Sequence, residues 1–234
     1  MVNRLVVNRL EALAPLLLLI HHGLIYNEVG QLAKLRGVDF GPAIETPLDG
    51  RLPFVPLAIL PYMTFWVLPV MAFGYLYWKR GFDPDPYRRI FAALLVLTLC
   101  CMALWILFPV HVGLRFDEAR LAEHGILGKF IFLTYAAATP WNACPSFHVA
   151  GSWILYRILR LYVSPLPRIF LALMILITVS TVLIKIHYVL DVVFGLLIGE
   201  LAFRLVLKRL EDRQAFARVS PRRPRGGSRG LAIY

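Results

Sequence analysis

Cys144-Pro145-Ser146-Phe147-His148-Val149 and, downstream, Ser180-Thr181-Val182-Leu183-Ile184-Lys185-Ile186-His187-Tyr188-Val189-Leu190-Asp191 set two histidines, two serines, a lysine and an aspartate into otherwise apolar sequence. Such groups are costly in hydrocarbon and persist there when they have a task. Outward from these stretches, the 234 residues are 59% hydrophobic and 17% charged, with a mean hydropathy of +0.68. That is more apolar surface than a soluble domain can cover with its polar residues. The composition predicts an all-α, polytopic membrane protein. A span takes about 20 mostly apolar residues, and six segments qualify: 10–28, 54–78, 90–110, 147–163, 166–184 and 187–209. One six-helix membrane domain over 1–212 and a tail over 213–234 account for the chain.

Two of these segments need further argument. The first has the basic start of a signal peptide, Arg4 and Arg9, but His21, His22 and Tyr26 follow its apolar run where small residues would mark cleavage. It is therefore read as a retained helix. The last two segments run together over 166–209 and as one helix would measure about 66 Å, twice a bilayer core. A reversal is required, and length and polarity place it around 183–186, although no Gly or Pro stands between Ser180 and Asp191.

The net charge of +11 is unevenly distributed. Six spans gather Arg4, Arg9, Lys79, Arg80, Arg88, Arg89, Arg157, Arg160, Arg168 and the tail on one side. The other side receives Lys34, Arg36, Arg51, Arg115, Arg120, Lys129 and Lys185. Basic loops mark the cytoplasm, so both termini are expected there and the polar motifs on the extracytoplasmic side; size and Arg content fit a bacterial inner membrane. The tail, with PRRPRGGSRG inside it, lacks apolar periodicity and is expected to be disordered. Beside a membrane domain its charge suits anionic lipid headgroups, and no nucleic-acid partner is implied.

Two connections lie on the motif side. Residues 29–53 form a Gly- and Pro-rich segment, read either as a lid or as an ordinary loop. Within the connection before the fourth span, LGKFIFLTYAAA (127–138) reads as a short interfacial or re-entrant helix, with Trp141 at the boundary. Cys100 and Cys101 lie in a span as small apolar groups. Cys144, with no activating neighbour in sequence, is read as packing. His111 and His124 lack partners at a meaningful spacing and are read as interfacial.

The residue types of the two motifs make an anion site. His187 and Asp191, four residues apart, meet on one helical face; the carboxylate fixes the imidazole tautomer and supports the charge that develops when the other nitrogen attacks. His148, from another helix start, is the candidate acid for a departing alkoxide. Ser146 and the N–H groups of that helix start are candidate donors to phosphate oxygens.

These motifs resemble those of the type 2 phosphatidic acid phosphatase superfamily, P-S-G-H and S-R-x5-H-x3-D. Pro145-Ser146-Phe147-His148 matches the first with Phe for Gly; Ser180, His187 and Asp191 match the second at its spacing. Thr181 stands where the family has a phosphate-binding arginine, and Lys185 is the candidate replacement. SFHVA with KIHYVLDV is similar to the inositol phosphorylceramide synthase-like branch. A further family motif, K-x6-R-P, is not recognisable, and Arg115 is the candidate carried for its arginine. The resemblance implies catalysis by His187, His148 and Asp191, phosphate binding by Ser146, Lys185, Ser180 and Arg115, a phosphohistidine on His187, and neither metal nor cofactor.

Three outcomes stay open. Hydrolysis of a lipid phosphate needs a pocket that admits water, whereas transfer needs a site for a second alcohol that outcompetes it. The third is a non-catalytic lipid-binding or transport protein that keeps the polar cluster. In the two enzymatic outcomes the substrate is an amphiphile with its tail between helices and its phosphate at the outer boundary.

Overall fold

The structure, a computed structural model, describes residues 25–81, 84–163, 165 and 167–219, with the backbone alone for 84 and 209–219. Most of the first candidate span, 10–24, lies outside the described residues, as do 220–234. The described chain is helical, with no strand among the described residues; a single bridge joins Val110 and Asn142. In order, α1 covers 25–35, α2 Gly41–Ile44, α3 Pro47–Arg51, α4 Ile59–Arg80 after a 3-10 turn at Pro56–Ala58, α5 Pro84–Leu107, α6 Glu118–Ala122, α7 Gly125–Ala137, α8 Phe147–Tyr162, α9 Arg168–Leu183 and α10 Val189–Val219.

Five of the six candidate segments are helical, in α4, α5, α8, α9 and α10. Among the described residues two stretches, Pro56–Arg80 and Asp85–Leu107, are long and apolar enough to cross a membrane. At 16 residues each, α8 and α9 are about 24 Å long, shorter than an average hydrocarbon core. Helix α10 runs on through 213–219, which the composition assigns to the disordered tail.

Helix α8 sits centrally, packed against α4, α5, α9 and α10. Ile154, Leu155, Ile158 and Leu159 of α8 join Leu94, Leu97 and Trp105 of α5 and Phe203 and Leu207 of α10 in the main core. Small residues allow the closest approach. A Cβ on Gly195 would lie 2.7 Å from the Ser146 carbonyl oxygen, and one on Gly199 2.9 Å from that of Ala150. The spacing Gly195-x-x-x-Gly199 therefore lays α10 along the first two turns of α8. Trp105 Nε1 donates to the Pro145 carbonyl at 3.1 Å, anchoring the motif loop to α5.

The chain reverses between α9 and α10 where length requires it, and without glycine. Lys185 takes φ +57°, which costs a non-glycine residue roughly 1–2 kcal/mol. Its ammonium donates to the carbonyls of Asp49 and Leu52, 2.7 Å each. Hydrogen bonds from a charged group are worth about 1.5–3 kcal/mol, enough to offset that cost. The N–H groups of Ile186 and His187 both reach the Thr181 carbonyl and close the turn.

Candidate active site

Asp191 is the third residue of α10 and fully buried. Its Oδ2 accepts the Tyr188 N–H at 2.9 Å and lies 3.3 Å from His187 Nδ1. This couples the start of α10 to the imidazole: a carboxylate that partly caps the helix also sets the ring. With Nδ1 engaged, Nε2 keeps the lone pair. His187 is 4% exposed.

His148 belongs to the first turn of α8. Its ring centroid is 5.8 Å from that of His187, at an interplanar angle of 65°. Tyr62 and Phe65 of α4 flank it, each 4.6 Å away between centroids. The Ser146 N–H donates to the Asp191 carbonyl at 3.1 Å, so the two motifs are also tied through the main chain. Ser146 Oγ is buried with no hydrogen-bond partner among the described residues. A buried hydroxyl beside a helix start is suited to an anion.

Arg115, Lys185 and Ser180, the other three candidate phosphate groups, engage main-chain carbonyls. Arg115 Nη1 donates to Tyr135 (3.2 Å) and Ala138 (2.7 Å), and Nη2 to Thr139 (3.3 Å). It thus caps the C-terminal end of α7, where a cation is favoured; burial lowers its pKa. Two of the three Lys185 donors hold Asp49 and Leu52; burial lowers its pKa too, and the Asp49 charge partly opposes this. Ser180 Oγ donates to Ile177 of its own helix at 2.6 Å.

Cys144 lies near the Asp191 carboxylate. Burial first, and then that charge, push its thiol well up, so it stays protonated and poorly nucleophilic. The packing reading agrees with this.

A cavity of about 340 Å³ opens beside His148 between α4 and α7. Tyr62, Phe65 and Trp66 line one wall and Phe130, Leu133 and Ala137 the other, with His148 and Tyr26 also at its lining. His187 is not part of that lining.

Two sets of residues escaped the sequence reading. The aromatic wall on α4 gave no local signal, because α4 reads as a uniformly apolar span. Asp49 did leave one: Thr46-Pro-Leu-Asp49 carries the spacing of a capping box, and the structure forms it, with Asp49 Oδ2 accepting from Thr46 N and Oγ1 at 2.7 Å. The 29–53 segment is accordingly built, with α2 and α3 folded over the reversal between α9 and α10.

No curated protein and no solved structure matches the chain. A family model described as PAP2 superfamily matches residues 28–205, which takes in α2 to α9 and both histidine motifs. With that match over most of the chain, and the two histidines side by side, this protein belongs to the PAP2 superfamily, the type 2 phosphatidic acid phosphatases and their relatives.

Proposed function

We propose that this protein is an integral membrane phosphatase that removes phosphate from a lipid phosphate or diphosphate through a phosphohistidine on His187. The observation that carries the reading is the 5.8 Å approach of His148 to a His187 whose Nδ1 faces Asp191. Nε2 of His187 attacks phosphorus while the P–O bond to the leaving alkoxide breaks. A protonated His148 gives that oxygen its proton. His148, now neutral, takes a proton from water as the water attacks phosphorus; the P–N bond breaks and phosphate leaves. Ser146 Oγ and the first N–H groups of α8 hold the non-bridging oxygens. The cavity between α4 and α7 suits the hydrocarbon part of the substrate.

The orientation reading is six spans, both termini cytoplasmic, and the site on the extracytoplasmic face. Its support is that the end opposite the histidines carries Lys79, Arg80 and Arg160, with Arg80 donating to the Tyr162 carbonyl at 3.2 Å. The basic tail meets anionic lipid.

A second reading, transfer of a phosphoalcohol headgroup to another alcohol as in inositol phosphorylceramide synthases, is favoured by the burial of His187. Transfer requires that water be kept from the phosphoenzyme. The test is a panel of labelled lipid phosphates, with and without candidate alcohols, in EDTA. Free phosphate supports hydrolysis, and label on a second lipid supports transfer. Undiminished turnover by His187→Ala and His148→Ala sinks both. Full biological function in a His187→Asn strain would favour the non-catalytic alternative.

A further inference from the structure

The mechanism leaves one buried carboxylate unused. Asp49, 1% exposed, sits in α3 of the segment folded over the reversal. While Oδ2 closes the capping box of α3, Oδ1 accepts the Val189 N–H at 2.7 Å, from the first residue of α10 and 140 residues away in sequence. The Asp49 carbonyl, with that of Leu52, takes the Lys185 ammonium. One residue thus grips the His187 stretch on both sides, at 185 and at 189.

The consequence follows from how a helix starts. The first N–H groups of α10 have no acceptors within the helix. Asp191 takes one from inside, at Tyr188, and Asp49 takes the next from outside, at Val189. Asp191 Oδ2 also faces His187 Nδ1, so the ring is only as well oriented as the first turn of α10. We infer that Asp49 is a positioning residue for His187, holding the first turn of α10 so that Asp191 keeps the imidazole in the tautomer that leaves Nε2 open. As a statement about catalysis this rests on His187 being the nucleophile. Asp49 touches no reacting atom, and its loss lowers kcat about 10- to 100-fold with KM unchanged, as expected of a slightly misplaced reacting group.

The test needs no substrate. Full-length protein in lipid nanodiscs, with 15N in its histidine rings, is compared as wild type, Asp49→Ala, Asp49→Ser and Asp49→Asn. The ring nitrogen shifts report the His187 tautomer, and hydrogen exchange reports the amides. Wild type is expected to hold the Nδ1–H form. Asp49→Ala is expected to mix the tautomers and to speed exchange at 187–191 about tenfold or more, leaving 150–160 in α8 unchanged. Asp49→Ser carries the same expectation if the alanine variant does not fold. Asp49→Asn keeps an acceptor for Val189 but not the carboxylate of the capping box, so exchange should rise at Thr46 and not at 187–191. An unmoved His187 tautomer and unmoved exchange at 187–191 in a folded Asp49→Ala or Asp49→Ser protein overturn the inference. A wild type that turns over no lipid phosphate removes the proposed reaction instead and leaves this coupling intact.

Discussion

At the scale of single residues, the spacing of His187 and Asp191 signalled their pairing but not its geometry: the expected shared helical face does not form, because His187 stands in the reversal before α10, and Asp191 Oδ2 reaches Nδ1 while it also accepts the Tyr188 N–H. The partners of Arg115, Lys185 and Ser180 were not legible. The sequence reading gives these residues to phosphate, whereas their donors reach main-chain carbonyls, two of those sets far away in sequence. A positive or hydroxyl side chain advertises its charge or donor but not its acceptor. Asp191→Asn keeps the side-chain volume while removing the charge that supports an imidazolium. It is expected to cut kcat by about 10²–10⁴-fold with little change in KM, measured on whichever lipid phosphate the panel identifies. Cys144→Ser, by contrast, removes a thiol held protonated by burial, and turnover should stay within about threefold of wild type. A loss as large as that of Asp191→Asn would make Cys144 part of the reaction.

At the scale of elements, the reversal between α9 and α10 was placed by length, since one continuous helix would have overshot a bilayer. The means of reversal was hidden, because a left-handed Lys185 is tolerable only with the 41–52 segment folded against it. The packing of α10 on α8 shows the same division. Gly195 and Gly199 signal close approach, but not to what. In the structure the neighbours are the carbonyls of Ser146 and Ala150, so the glycines also set how near the two histidine motifs stand. Gly195→Ala must push the helices apart and is expected to cost about 1–3 kcal/mol, as overpacking does, and to lower activity. Gly74→Ala, inside α4 with nothing within 4 Å of an added Cβ, should instead leave stability unchanged or raise it by up to about 1 kcal/mol. Thermal unfolding in detergent separates the two, and equal shifts would contradict the packing account.

At the scale of the whole molecule, the helical architecture was readable from composition and from the length of the apolar runs. The six crossings rest on the count of apolar segments, and their orientation is argued from charge. In a variant without the native cysteines, Gly50→Cys, exposed in α3, should react with an impermeant maleimide added outside intact cells, and Lys79→Cys, exposed near the end of α4, should react only after the membrane is opened. The reverse pattern would turn the site toward the cytoplasm. The covalent step is tested by mixing the protein with a lipid phosphate labelled in its phosphoryl group, quenching within milliseconds in base, and mapping the covalent label. The account predicts base-stable, acid-labile label on His187 in wild type and none in His187→Ala. Label on another residue, or rapid turnover with His187 never labelled, would contradict it.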